Sequence, residues 1–275
     1  MTRNDMYYIN LDRVPERRAF VEAHFQEQGM GSVSRWSATD AADTDAPLGS
    51  GYKQGTGETW ALSRSEIACF ESHRAIWAYA IENNLPAVVI FEDDMLLSRM
   101  AEDVIAKLLT AAAHFDVAKL DYSPAVSRFG PTTEINGVSV RPLLSNAVSA
   151  GGYILSQQGC KKLLNWSTVY SDRLDDFVFM PRPGWHAVQV FPAVATQLWM
   201  TAEAKQQEAN LLFSSERESD PKINQKPSKG PFLFRVKKEL INGTRRLKWR
   251  TGYDKLLKQK GGFIGLVPLA PDLLD

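Results

Sequence analysis

The sequence predicts an α/β fold: a mostly parallel central sheet flanked by helices, followed by a basic helical C-terminal tail. Three observations carry this. Short apolar, largely β-branched runs alternate with segments of helical periodicity between residues 7 and 191. One of these runs, Ala87 to Phe91, ends abruptly in three consecutive carboxylates, Glu92-Asp93-Asp94. The charge is also divided along the chain. The 275 residues carry 32 Lys/Arg and 32 Asp/Glu, yet residues 222–275 hold 13 basic residues against 4 acidic ones. The tail is therefore net +9 and the body net −9, which points to two jobs.

Each element has its own signal. Tyr7 to Leu11 reads as the first strand. Asp12-Arg13-Val14 is a turn, and Pro15 and Glu16 suit the first turn of a helix over Glu16 to Gln28, stopped by Gly29. Val33 to Ser37 is a second strand. Thr39 to Thr59, rich in Gly, Asp and Thr, is a long loop of the kind found beside sites. Ser63 and Glu66 form a capping box ahead of the apolar set Ile67, Phe70, Ile76, Trp77 and Ala80. That helix ends at Asn83-Asn84-Leu85-Pro86 and hands over to the apolar strand. A helix over Ala101 to Ala113 and a strand over Phe115 to Leu120 follow. Val138 to Leu144 and Ala150 to Leu155 are strands, and Ser156 caps a helix through Leu164. Asp172 to Phe179 is acidic and apolar, and Ala187 to Phe191 is a last short strand.

Bulk composition narrows the class. A 44 % hydrophobic and 23 % charged chain is ordinary for a soluble globular protein. No stretch reaches the ~18 uninterrupted apolar residues of a membrane span. Met1 to Met6 runs straight into the first strand without a signal-peptide core. Cys69 and Cys160 lie far apart with no CxxC spacing, so a reducing compartment is expected, with neither a disulfide framework nor a zinc site. Glu66, Cys69 and His73 fall near one helical face at i, i+3 and i+7, but Glu66 is already explained as a cap and Cys69 by packing.

Several groups could carry chemistry. Three carboxylates at the carboxyl end of a buried strand stand where open α/β sheets place ligands. They repel one another there, which suggests a hard divalent cation, Mg²⁺ or Mn²⁺, shared with a phosphate-bearing substrate. Asn10, Asp12, Arg13, Arg17 and Arg18 follow the first strand, a common nucleotide position. The absence of a GxGxxG or Walker-type loop disfavours dinucleotide and P-loop chemistry. Ser72-His73 lies within a helix. Asp175-Asp176, with Asp172 upstream, offers a general base or simply an acidic loop. In the tail, Leu233, Val236, Leu240 and Leu247 form one stripe among Lys and Arg residues. An anionic membrane surface, packing on the body and nucleic acid all fit that pattern, and the acidic body argues against nucleic acid.

Five segments, taken in order, resemble glycosyltransferase family 25, the lipooligosaccharide galactosyltransferase-like family. They are Tyr8-Ile-Asn-Leu-Asp-Arg13 with Arg17 and Arg18, Leu62 to His73, Val89 to Asp94, Gly151 to Ser156, and Phe191 to Gln197. Ser65 and Ala68 stand where the family usually carries glycine.

The resemblance implies a GT-A-like, Rossmann-type catalytic domain over residues 1–215 and leaves residues 216–275 as a basic amphipathic extension. It implies a nucleotide-sugar donor, UDP-galactose or another UDP-hexose, with Mn²⁺ or Mg²⁺ and inversion at the anomeric carbon. The acceptor would be a lipid-linked lipopolysaccharide or lipooligosaccharide core at the cytoplasmic face of the inner membrane. Asp94 would ligate the metal, with Asp93 or Glu92 on ribose or water and Gln197, or more weakly His186, opposite. Asn10, Asp12, Arg13, Arg17, Ser72 and His73 would flank the donor, Gly151 and Gly152 would admit its sugar, and Asp175 or Asp176 would be the base. Glucosyl or N-acetylhexosaminyl transfer, or donor binding without turnover, are the alternatives.

Overall fold

A computed structural model describes residues 5–43, 48–200 and 227–274. The body opens with β1 (Met6–Asn10), α1 (Pro15–Glu27), β2 (Ser34–Ser37) and α2 (Arg64–Glu82). β3 (Ala87–Glu92), β4 (Met95–Leu97), α3 (Ala101–Thr110) and β5 (Val117–Lys119) follow. Then come β6 (Ser127–Phe129), β7 (Thr133–Ile135), β8 (Val138–Pro142), β9 (Gly152–Ser156), α4 (Gln157–Trp166) and α5 (Leu174–Phe179). β10 (Ala187–Val190) and β11 (Ala195–Gln197) close the body, and α6 (Phe232–Lys248), α7 (Asp254–Gln259) and β12 (Phe263–Gly265) form the tail.

The local signals produce these elements. Ser63 Oγ accepts from Glu66 N at 3.2 Å, and Ser63 N donates to Glu66 Oε2 at 2.8 Å, closing the capping box of α2. Asn84 ends that helix with φ +53, which an Asn tolerates, and Pro86 bars its continuation. Ser156 Oγ accepts from Gly159 N at 3.0 Å and caps α4. A Cβ on Gly159 would lie 2.3 Å from Asp116 O, so only glycine lets α4 start this close to the sheet.

One eight-stranded sheet has the order β2-β1-β3-β9-β5-β10-β8-β7. Strands β1, β2, β3, β5, β7 and β10 run one way, while β8 and β9 run against them. The sheet is thus mostly parallel in direction but mixed in pairing, and the reason is local. A parallel partner needs a crossover, usually a helix, whereas β9 is reached through loops and the β7–β8 hairpin. α2, α4 and α5 cover one face, where Phe70, Trp77, Leu163 and Phe177 are buried. α1 and α3 cover the other, where Val21, Phe25 and Leu108 meet Tyr8 and Phe91. β3 is fully buried through Phe91 on both faces, as its unbroken apolar run requires.

The sequence did not announce β4, β6, β7, β11 or β12, each three residues long, too short for period-2 alternation to show. Two of them matter to the site: β11 pairs antiparallel with β4 and brings Gln197 opposite Met95.

The extension divides into two parts. Its end returns to the body: β12 pairs with β6, and Ala193 exchanges backbone hydrogen bonds with Pro268 and Ala270. Arg128 clamps Asp254 with two 2.8 Å hydrogen bonds. α6 touches the body more sparsely. Phe234 meets the Trp60 ring edge-on at 5.0 Å, and Arg245 Nη1 donates to Glu58 at 2.7 Å. Its stripe is not packed: Leu233, Leu240 and Leu247 are 79 %, 66 % and 61 % exposed. The residues between 201 and 226, including the boundary near 215, lie outside the described residues. Among the described residues no helix is long and apolar enough to cross a membrane.

Candidate active site

A cavity of about 720 Å³ opens at the carboxyl ends of β1 and β3. β1 contributes Asn10 to it, α1 Arg17, α2 Ser72 and His73, the end of β3 Glu92, the β3–β4 turn Asp93 and Asp94, and α5 Asp175. Arg13, Cys69, Ser149, Arg173, Gln197 and Trp199 also line it.

The triplet is divided among different partners. Asp93 is buried, accepts from Asn10 Nδ2 at 2.8 Å and pairs with Arg17 at 3.0 Å. Burial pushes its carboxyl up to about 6; Arg17 and Asn10 oppose the rise, and neighbouring Asp94 adds to it. Asp94 lies 3.5 Å from the same guanidinium and accepts from Gln197 Nε2 at 3.3 Å. Glu92 takes Gln197 Nε2 on Oε2 at 3.0 Å, while its Oε1 lies 3.8 Å from Cys69 Sγ and 3.9 Å from His73 Nε2. Glu92 and Asp94 thus converge on one amide nitrogen, and Asp93 is held by Asn10 and Arg17. Arg17 Nε, buried beside them, meets no acceptor among the described residues.

The arginine-rich segment after β1 divides as well. Asn10 Oδ1 accepts from Arg35 Nε at 3.0 Å, and Arg13 Nε donates to Asp40 at 2.7 Å. Asp12 lies outside the cavity lining. Arg35 and the Ser37 hydroxyl both donate to it, holding its carboxyl below the usual range. Ser72 Oγ donates to Ala68 O at 2.8 Å and accepts from Thr39 N at 2.9 Å, so it anchors the long loop to α2. His73 Nδ1 lies 2.8 Å from the buried Tyr153 hydroxyl.

The paired aspartates separate. Asp175 lines the cavity and accepts from its neighbour's amide, Asp176 N, at 2.9 Å and from Ser149 N at 3.3 Å. Asp176 accepts from Asn146 and does not line the cavity. Burial first, then Asp175, push its carboxyl up to about 6. Asp172 accepts from Glu58 N and Thr59 N at 2.7 and 2.9 Å and holds the long loop. Gly151 and Gly152 are also absent from the cavity lining. A Cβ at Gly151 would sit 2.5 Å from Met95 Sδ and one at Gly152 would sit 3.3 Å from the Phe91 ring, so packing against β3 and β4 accounts for both. His186 N donates to Asp116 at 2.8 Å, and His186 is not part of the cavity wall.

Sequence reasoning missed Ser149, Lys119 and Asp121. Ser149 has φ +73, a strained value for a residue with a side chain. Its hydroxyl lies 2.6 Å from Asp121 Oδ2 and 3.2 Å from Gln197 Oε1, and its carbonyl accepts from Lys119 Nζ at 2.6 Å. Lys119 and Asp121 form an ion pair with no exposure on either side chain. Burial drives Lys119 down and Asp121 up, and their mutual attraction opposes both shifts. A signal existed: opposite charges two residues apart on a strand fall on one face.

The sequence model described as glycosyltransferase family 25 (LPS biosynthesis protein) matches residues 3–178. The lacto-N-neotetraose biosynthesis glycosyltransferase LgtE of Neisseria meningitidis serogroup B is 27 % identical over 78 % of this chain and 80 % of its own length. LgtB of Neisseria gonorrhoeae is 26 % identical over 80 % of this chain and 83 % of its own. The lipooligosaccharide biosynthesis protein lex-1 of Haemophilus influenzae is 25 % identical over 70 % and 68 %.

Proposed function

The chain belongs to glycosyltransferase family 25 and is a glycosyltransferase, and we propose that it is a metal-dependent, inverting hexosyltransferase with a GT-A-like catalytic domain. Its donor in this reading is UDP-galactose, and its acceptor is a lipopolysaccharide or lipooligosaccharide core. The observation that carries the reading is the convergence of Glu92 and Asp94 on Gln197 beside Arg17, in a cavity that Asp175 also lines and where Ser149 contacts both Asp175 and Gln197.

The residues fit a hard divalent cation, Mn²⁺ or Mg²⁺, held by Asp94 with Glu92. The donor set is carboxylate oxygen, the ligand type such cations take, and two like charges that meet at one amide nitrogen gain from an added positive charge. A cation bound there supplies positive charge to the departing diphosphate.

The chain's own residues do the rest. Arg17, whose Nε–H meets no acceptor among the described residues, binds a donor phosphate oxygen. Asn10 and Arg13, at the end of β1, flank the nucleoside, with His73 on the cavity floor. Asp175, oriented by two backbone N–H groups, takes the proton from the acceptor hydroxyl as that oxygen attacks the anomeric carbon from the face opposite the leaving group. Asp176, held by Asn146 away from the cavity, keeps the start of α5 in place.

α6 fits attachment to the cytoplasmic face of the inner membrane, where the acceptor would lie. An exposed apolar stripe flanked by Lys237, Lys238, Arg245 and Arg246 is the pattern that seats on an anionic leaflet.

The test is transfer from a panel of UDP-hexoses to a deacylated core oligosaccharide, with and without Mn²⁺, and with the product anomer read by NMR. An inverted linkage formed only with metal supports the proposal. A retained linkage, or equal rates after chelation, removes that part of it.

A further inference from the structure

Cys69 and His73 stand one turn apart on α2, and the end of β3 lays Glu92 against both. The thiol sulfur, His73 Nε2 and a Glu92 oxygen all lie within 4.8 Å of one another. Three ligand types meet there: a thiol, an imidazole and a carboxylate. From this juxtaposition we propose a second cation site on the cavity floor, one that takes Zn²⁺ or a cation of similar softness.

The chemistry separates it from the hard-cation site. Thiolate and imidazole favour Zn²⁺, whereas Mg²⁺ and Mn²⁺ favour oxygen ligands. The distances of 3.8 and 3.9 Å to Glu92 Oε1 come within small side-chain adjustments of the spacing between ligands of one tetrahedral zinc. The two carboxylate oxygens face different ways. Oε1 meets Cys69 and His73, and Oε2 meets Gln197.

Hydrogen bonds fix the position of the imidazole, and the tautomer with its proton on Nδ1 is the one that binds a cation. Trp77 Nε1 donates to the Tyr153 hydroxyl at 3.0 Å, and that oxygen lies 2.8 Å from His73 Nδ1. A hydroxyl oxygen has two lone pairs, so it can accept from Trp77 and from a proton on Nδ1 together. Nε2 is then the nitrogen that presents a lone pair toward Cys69 and Glu92. Metal-binding histidines are commonly fixed through their other nitrogen in this way. Ile67, Ala68 and Phe70 pack the helix on either side of Cys69, so the ligands sit on a rigid frame. Three protein ligands leave a fourth position open to the cavity, which Cys69, His73 and Glu92 all line. Zn²⁺ binding displaces the Cys69 proton to solvent and changes no oxidation state.

The proposal is independent of the glycosyl-transfer reading and is tested without turnover. The full chain is titrated with Co²⁺, a spectroscopic stand-in for Zn²⁺, with no nucleotide sugar present. The expected result is a thiolate-to-cobalt charge-transfer band that saturates at one equivalent, disappears when Zn²⁺ is added and survives excess Mg²⁺. The chain has two cysteines, and burial pushes the Cys160 thiol up to about 12, so the band reports Cys69. Cys69→Ser loses the band, Glu92→Gln lowers Co²⁺ affinity at least about tenfold, and Asp94→Asn keeps the band. Circular dichroism checks that each variant is folded. No band in the folded wild type, an equal band in Cys69→Ser, or its loss in folded Asp94→Asn would overturn the proposal.

Discussion

Gln197 Nε2 lies 3.0 Å from Glu92 Oε2, which ties the end of β11 to the end of β3 across the cavity floor. The amide nitrogen stands where a cation would relieve the repulsion between Glu92 and Asp94. Gln197→Glu replaces that donor with a third carboxylate. Without metal the variant should melt about 2–4 °C lower, corresponding to a loss near 1 kcal/mol, and Mn²⁺ should raise its melting temperature more than that of the wild type. Asp94→Asn should show the reverse, with little metal stabilisation and transfer reduced at least about 100-fold. Thermal shift across a Mn²⁺ series separates the two variants. Equal Mn²⁺ responses in both would dismiss this cation site.

Asp175 and Asp176 adjoin in sequence but not in environment. Asp175→Asn should lower kcat by about 10²–10⁴-fold, the usual contribution of a positioned base, with donor affinity retained. Asp176→Asn should keep most of the turnover, because its amide oxygen still accepts from Asn146. Initial rates with saturating donor measure this. Greater damage from Asp176→Asn would reassign the base.

Asp176 also makes stability depend on pH. Its carboxyl is raised to about 6 by burial and by Asp175, so the fold favours the protonated form. The stabilisation is present below the ordinary carboxylate range and is lost as pH rises through about 6. Asp176→Asn removes that loss. Relative to the variant, the wild type should lose on the order of 1–3 kcal/mol between pH 4 and pH 7. Urea melts of both proteins at each pH give the difference, and parallel pH profiles would count against it.

Lys119 and Asp121 are sealed beneath Ser149, with neither side chain exposed. Lys119→Met or Asp121→Leu alone should cost about 3–5 kcal/mol, because each leaves a buried charge unpaired. The double variant should recover much of that. Transfer should remain impaired in it, since the Ser149 conformation that holds Asp175 and Gln197 loses both buried partners. A double-mutant cycle in urea measures the coupling, and additive losses would show that the pair is not linked.

The α6 stripe predicts a separable effect. Leu233→Glu with Leu240→Glu should abolish co-sedimentation with vesicles rich in phosphatidylglycerol, and should leave transfer to a water-soluble acceptor within about twofold, as expected for substitutions at exposed positions. Unchanged sedimentation would assign the stripe to some other surface.

Much of the fold is legible in the chain because its causes are local. Ser63 and Glu66 announce α2, Ser156 announces α4, and the unbroken apolar run of β3 announces a strand buried on both faces. The same run delivers the acidic triplet to the sheet edge, where its charge cannot be ignored. Within the site, the ends of β1 and β3 and the Asp175-Asp176 step are readable for the same reason.

The rest depends on contacts between distant residues. Nothing local says that Gln197 meets Glu92, that Asp12 turns to Arg35 and Ser37, or that Gly151 is required by Met95. Three-residue strands such as β4 and β11 have no periodicity to read, yet their pairing builds the cavity floor. The sequence by itself determined the class of fold, the position of the carboxylates and the division between acidic body and basic tail, because periodicity, capping and charge act over a few residues. Only the tertiary structure decided which carboxylate faces which partner, that Asp175 rather than Asp176 lines the cavity, and that Cys69 and His73 share Glu92. Those outcomes depend on how the sheet orders its strands, and burial then fixes the partner each charged group must find.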